Sequence, residues 1–241
     1  NGTSERHNII NKTIQYEKAQ EQTDLGWFER AALVGDPTQS GLSCAITNQY
    51  IDQLMRNHDL EDIHLDINGG GSQLDQFLID EFNRGIMYYN YRGYYYGSGS
   101  YPPNSNQLSN GYYTPFVTTI TCGTGDFSST SSSEGFVRLG SVNDPKGAVA
   151  AVGTSTTGTH TAYNNIVDMG IYEGLFSNSI THAGSAVTNG RLSLFETYPS
   201  NPGDCVGAFS AWNNLIGDPA LHLWTDTPKD FSITYPNTIS L

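Results

Sequence analysis

The sequence predicts an α/β domain: a mostly parallel sheet in a three-layer αβα sandwich. Three observations carry this. Apolar, β-branched runs alternate with amphipathic helical segments along the chain. Some runs, such as "KGAVAAVGTS" (146–155), are apolar or small throughout, as in strands covered on both faces. The length, 241 residues with 37% apolar residues and 26 glycines, suits one large domain with many loops.

The elements follow in order. "TIQYEKAQEQTDLGWFERAALVG" reads as a helix, a loop and a short buried strand. "TNQYIDQLMRNH" has apolar residues at 51, 54 and 55 behind a Thr47 cap, hence an amphipathic helix. "DIHLDI" is the next strand. "SQLDQFLIDEFNRG" opens on Ser72, is apolar at 74, 77, 78 and 82, and closes on Gly85, a helix with both end signals. "GIMYYNYRG" and "FVTTITC" are strands around a tyrosine-glycine loop. "SEGFVRLGS" is a helix and "KGAVAAVGTS" a strand. "NNIVDMGIYEGLFSN" and "HAGSAVTNGRLSLFETY" are helices, and "ALHLWTD" is the last strand. In "IGDPA", Gly217, Asp218 and Pro219 form a turn, and Asp218 reads as a turn-former ahead of the alternative, a metal ligand.

The net charge of −13 and pI near 4.6 exclude a nucleic-acid or anionic-membrane surface, which needs a Lys/Arg stripe. Such acidity suits a secreted or salt-exposed protein. It leaves carboxylates for a structural calcium ion, although no twelve-residue EF-hand pattern is present and no cofactor is required. Cys44, Cys122 and Cys205 allow at most one disulfide, and their spacing matches no zinc pattern. No apolar run reaches the length of a membrane span. The first residues are polar, unlike a signal peptide, and "DFSITYPNTISL" alternates as if another domain were beginning. The chain is expected to be a mature or excised piece, with residues 1–228 as its main domain and 229–241 as a linker or the start of the next.

In a parallel sheet, ligands bind beyond the C-terminal strand ends. Three loops with unusual chemistry leave such ends: "RGYYYGSGSYPP", "CGTGDFSSTSSS" and "GTSTTGTHTAYNN". Cys122 leaves its strand into Gly123 and Gly125, which would let backbone approach a ligand closely. The helix starting in "SSSEGF" would turn its N-terminal N–H groups toward the thiol. A free cysteine can equally be an inert buried group. Tyr94, Tyr95 and Tyr96 read either as surface packing or as a wall for a peptide or glycan. His160 is the one histidine of six on such a loop, beside Thr156, Thr157 and Thr159, whose hydroxyls suit a polar ligand. Asp36, after the first strand, is a candidate acidic specificity residue.

Taken together, the chain resembles the gingipain family of cysteine peptidases, which have a caspase-like fold. "WFERAALVG", "GIMYYNYRGY", "TITCGTGDF", "PKGAVAAVGTSTTGTH" and "GDPALHLWT" occur in the family's order. The resemblance implies a cysteine nucleophile at Cys122 and an immunoglobulin-like domain beginning in "PKDFSITYPNTISL". The family's base lies in Asn-Tyr-x-Gly-His-Gly. Here Asn90, Tyr91 and Gly93 match, but Tyr94 stands at the histidine position and Tyr95 at the following glycine. The usual Cys–His pair is therefore incomplete.

Two functional expectations follow. One is an extracellular or cell-surface endopeptidase acting on protein or peptide, in which His160 serves as a relocated base and the Cys122 and Tyr95 N–H groups hold the oxyanion. The other is an inactive relative that binds peptide, glycan or a partner protein through Tyr94 to Tyr96. A third possibility, a module that only assembles with neighbouring domains, leaves Cys122 and the tyrosines without a role.

Overall fold

The computed structural model describes residues 2–68, 72–94, 97–201 and 203–229. Its elements are α1 (Thr3–Lys18), β1 (Arg30–Gly35), α2 (Pro37–Ser40), α3 (Ser43–Arg56), β2 (Asp62–Asp66), α4 (Ser72–Arg84), β3 (Tyr88–Arg92) and β4 (Phe116–Thr119). Then come α5 (Ser132–Arg138), β5 (Gly140–Ser141), β6 (Asp144–Pro145), β7 (Ala150–Thr154), α6 (Thr161–Phe176), α7 (Ala183–Thr197), α8 (Cys205–Trp212) and β8 (Asn213–Ile216). Six strands form one sheet in the order β2-β1-β3-β4-β7-β8. All its pairings are parallel except β7 with β8.

The sheet is buried on both faces, which is why its strands carry few exposed residues. Alternate residues serve two cores. Ala31, Leu33, Tyr88, Ala150 and Val152 pack into one with Ile51, Ile171 and Leu175. Ala32, Val34, Tyr89, Tyr91 and Ala151 pack into the other with Leu78, Phe82 and Phe136. α1 is tied to the region around α5 by the buried Lys12, whose Nζ donates to the carbonyls of Val137, Leu139 and Lys146 at 2.7, 3.1 and 2.9 Å.

The αβα sandwich stands as expected, and the departures are local. Thr47 lies inside α3, its hydroxyl donating to Ser43 O at 2.9 Å, so it caps nothing. α4 closes on Gly85 as expected (φ 80°), while the Ser72 side chain lies outside the described residues. β4 ends at Thr119, three residues before Cys122. The helix read through Ser141 stops at Arg138, because Gly140 and Ser141 pair with Asp144 and Pro145 in a small hairpin.

"ALHLWTD" is not a sheet strand. It buries Leu221 and Leu223 but bonds to the start of α7 and the residues before it: Ala183 N donates to Leu221 O at 2.9 Å and Leu223 N to Thr181 O at 2.7 Å. The closing strand is β8, which follows α8 without a loop. Asp218 is the turn-former expected, accepting from Ala220 N at 2.9 Å. The sequence read as the start of a further domain lies almost wholly outside the described residues.

Because β1, β3, β4 and β7 run parallel, their C-terminal ends lie on one side of the sheet. The loops leaving them, from residues 36, 93, 120 and 155, gather there.

Candidate active site

The turn after β4 is held as an extension of the sheet. Gly123 N donates to Thr156 O at 2.7 Å and Gly125 N to Thr154 O at 3.0 Å, continuing the β4–β7 ladder. Thr154 N donates to Thr124 Oγ1 at 3.1 Å. Gly123 has φ 69°, the left-handed conformation that glycine adopts without strain. A Cβ on Gly125 would lie 2.7 Å from the Gly153 carbonyl carbon. This glycine therefore permits the approach of β7, where the sequence suggested the approach of a ligand. The result is a half-buried Cys122 on a rigid turn.

The N-terminus of α5 does not serve the thiol. Ser133 N donates to Thr124 O at 2.8 Å, and Glu134 N to the Ser131 cap at 3.3 Å. The sulfur instead meets Thr159: Cys122 Sγ and Thr159 Oγ1 are 3.0 Å apart. Thr159 Oγ1 also accepts from Asn164 Nδ2 at 3.1 Å. Asn164 Oδ1 in turn accepts from Asn213 Nδ2 at 3.3 Å, and Asn213 Oδ1 accepts from the Thr154 hydroxyl at 2.7 Å. A polar chain thus runs from the sulfur to β8. Its geometry leaves the Thr159 hydroxyl proton available to the sulfur.

His160 is the N-cap of α6, and its Nδ1 accepts from Ala162 N at 3.1 Å. That bond assigns the neutral ring an Nε2–H, which donates and cannot accept. His160 borders the same cavity as Cys122, of about 290 Å³, together with Tyr94, Arg92, Gln39 and Thr159. Among the described residues, no hydrogen bond joins it to the sulfur. Tyr94 is 39% exposed, and its carbonyl accepts from the Tyr91 hydroxyl at 2.9 Å.

A second cavity, of about 330 Å³, opens on the other side of the turn. Gly123, Asp126, Ser131, Tyr101 and Pro102 border it, and so does Thr157. Of the three threonines read as ligand contacts, Thr159 reaches the sulfur, Thr157 borders this second cavity, and Thr156 holds Gly123 through its carbonyl. Tyr95 and Tyr96 lie outside the described residues. Asp36 caps α2, accepting from Thr38 N at 2.9 Å, and borders neither cavity. Among the described residues, no group of three or more His, Cys, Asp or Glu side chains is placed to hold a metal ion.

Under the cavity lies a polar core that sequence patterning had not singled out as a network. Asn165, Asp168 and Tyr172 share one face of α6 by their three- and four-residue spacing. Asn90 Nδ2 donates to Asp168 Oδ2 and to Asn48 Oδ1, each at 2.9 Å, and the Thr118 and Tyr172 hydroxyls are 2.7 Å apart. Arg92 donates through Nε and Nη2 to Asn165 Oδ1 at 2.9 and 2.7 Å. Burial raises the Asp168 carboxyl to about 7, against the pull of Arg92 and the Asn90 hydrogen bond. The signal for this core was the polar residues Asn90 and Thr118 inside otherwise apolar strands, paired in register.

The mostly parallel sheet, with Cys122 on the turn beyond β4, has the caspase-like αβα fold of cysteine peptidases. The chain belongs to peptidase family C25, whose family model matches residues 2–224. It is 26% identical over 246 residues to gingipain R2 of Porphyromonas gingivalis, which covers 96% of this chain and 32% of that protein. The crystal structure of the Arg-specific cysteine proteinase gingipain R superposes with a TM-score of 0.79 at 25% identity, over 97% of this chain and 56% of that one. A complex of the P. gingivalis RgpB pro- and mature domains gives 0.79 at 24% identity, over 96% and 57%. The chain thus spans about a third of its curated relative and little more than half of the solved chains.

Proposed function

We propose that this is the catalytic-type domain of a secreted or cell-surface cysteine endopeptidase, with Cys122 as nucleophile. The observation that carries the reading is the placement of Cys122 Sγ on the rigid turn between two cavities, at the wall of one of them. A peptide laid across the turn would present its scissile carbonyl to the sulfur and its flanking side chains to the cavities. The family and the strongly acidic composition support the reading and the extracellular setting. Among the described residues, no helix is long and apolar enough to cross a membrane.

In this reaction the Cys122 thiolate adds to the carbonyl carbon and the oxyanion takes the negative charge. Collapse breaks the C–N bond, the amine leaves with a proton, and water then hydrolyses the thioester. Among the described residues the Cys122 N–H donates no hydrogen bond, so it is available to the oxyanion, whereas the Gly123 N–H is held by Thr156 O. Tyr95 N–H is the second donor of the proposal. His160 is the proposed base, and it must release the Ala162 N–H before it can accept a proton.

That engagement favours a second reading, an inactive relative that binds peptide, glycan or a partner protein beside Tyr94, Tyr95 and Tyr96. A peptidyl chloromethyl ketone series separates the two, with iodoacetamide as a control for thiol access. Labelling of Cys122 by peptidyl reagents well above the control rate supports the peptidase. Control-level labelling combined with measurable peptide affinity supports the binder. Calcium, if the protein uses it, is proposed as structural only, and a shift in melting temperature on chelation tests it.

A further inference from the structure

The cavity beside Cys122 carries a charge that the acyl-transfer chemistry does not use. Arg92 ends β3 and is 1% exposed, yet it borders this cavity. One edge of its guanidinium, Nε and Nη2, is spent on a single neutral acceptor, Asn165 Oδ1. The only carboxylate paired with it among the described residues is Asp168, whose Oδ2 is 3.9 Å from Nε and already accepts from Asn90. Nη1 is buried and has no hydrogen-bond partner among the described residues. A buried, under-solvated guanidinium is costly, and a carboxylate supplies the bidentate partner it lacks.

The remaining lining sharpens the point. Gln39, Ser40, Tyr94, Thr121, Thr159 and Asn164 are uncharged polar residues, and among the described residues no carboxylate borders the cavity. A pocket for a basic side chain needs a carboxylate at its wall, and this one presents a guanidinium. Because Nη1 is covered, contact requires a wall side chain to turn aside. Gln39 and Tyr94, both exposed, border the cavity beside Arg92.

We propose that Arg92 makes this cavity a subsite for an acidic side chain, Asp or Glu, of a peptide lying across Cys122. The inference rests on the peptide-binding reading above and adds its substrate class. The protein's net charge of −13 opposes such a ligand at long range, so the preference is local and is to be read at about 0.15 M salt, where the Debye length is about 8 Å.

The test is fluorescence anisotropy of labelled, C-terminally amidated hexapeptides on the Cys122→Ala protein. The peptides differ at one position: Asp, Glu, Asn, Ala or Arg. The Asp or Glu peptide is expected to bind about tenfold or more tightly than its Asn counterpart. Arg92→Gln should abolish the difference, and Arg92→Lys should keep part of it. Equal affinities, a preference for Arg, or a preference that survives in a folded Arg92→Gln protein overturns the proposal. If Arg92→Gln fails to fold, the Asp-against-Asn comparison on the parent and on Arg92→Lys still decides. An Ala peptide with a free C-terminal carboxylate that binds as well as the Asp peptide also overturns it, since the site then reads chain ends. Binding of no peptide overturns this proposal and the binding reading together. Wild-type cleavage that favours non-acidic peptides overturns this proposal alone.

Discussion

Thr159 Oγ1 stands 3.0 Å from Cys122 Sγ, and Asn164 Nδ2 donates to that same oxygen at 3.1 Å. Either atom of this pair can donate while the sulfur is a thiol; a thiolate can only accept, so the threonine proton then serves the sulfur. A donor to sulfur favours the thiolate, which is the reactive form. Replacing Thr159 by Val removes the donor and keeps the shape. Alkylation of Cys122 by iodoacetamide at pH 7 should then slow several-fold, and Thr159→Ser should restore it. Cys44 and Cys205 are changed to Ser so that one thiol is read. An unchanged rate in the valine variant would mean that Thr159 only fills space.

His160 has an observed role as a helix cap and a proposed one as base, and substitution can separate them. As the α6 cap it accepts from Ala162 N, and losing a cap costs about 1 kcal/mol. Asn caps a helix as well as any residue but cannot act as a base. His160→Ala should therefore lose both stability and any peptidase activity, whereas His160→Asn should keep the melting temperature and lose activity by about 10²-fold or more. If His160→Asn retains full turnover, the base lies elsewhere.

The polar core under the cavity makes stability depend on pH. The folded pKa of Asp168, about 7, is above the unfolded value of about 3.9. Between those values the native state binds more protons than the unfolded state. Its contribution is therefore most favourable below about pH 4, falls as pH rises toward 7, and is lost above it. Urea unfolding at a series of pH values should show this slope in the wild type, and Asp168→Asn should flatten it. An identical profile in the variant would place the proton on another group.

Asn90 links Asn48 on α3 with Asp168 on α6 from the middle of the sheet. Leucine there would strip partners from two buried oxygens. The expected destabilisation is about 3 kcal/mol, read from the urea midpoint at constant m-value. A loss below about 1 kcal/mol would mean the network rearranges around the substitution.

How far the sequence shows all this depends on the range of each signal. Strands and helices are written locally: the apolar run at 146–155 and the spacing of Leu74, Leu78 and Phe82 are enough. The neighbouring positions of the Cys122 and His160 loops follow from the parallel pairing of β4 and β7. β8 escaped because "NNLI" opens with two asparagines, which strands disfavour, and follows α8 without a break. "ALHLWTD" misled because alternating burial recurs in any extended segment lying on a core. The contacts of Cys122 with Thr159, and of Arg92 with Asn165, join residues 37 and 73 positions apart. No periodicity reports those, and an arginine next to a glycine loop reads as exposed until the fold buries it.

Tyr94, read from the resemblance as standing at the family's histidine position, can be changed to histidine. Tyr94 borders the cavity that holds Cys122, at the position where the resemblance places the family's base. A tyrosine hydroxyl ionises near pH 10 and is a poor proton acceptor at neutral pH. Tyr94→His would supply an imidazole from the β3 side, with no helix cap to surrender. If that imidazole comes within reach of the sulfur, peptide cleavage should rise by about 10²-fold or more, with a pH profile that bends near the ordinary histidine range. The gain should survive His160→Asn, because the two rings stand on different loops bordering the cavity. If the gain vanishes in that double variant, both imidazoles act in one proton path. If Tyr94→His gains nothing while His160→Asn abolishes turnover, the chain has moved its base to α6 and the tyrosine belongs to substrate binding alone.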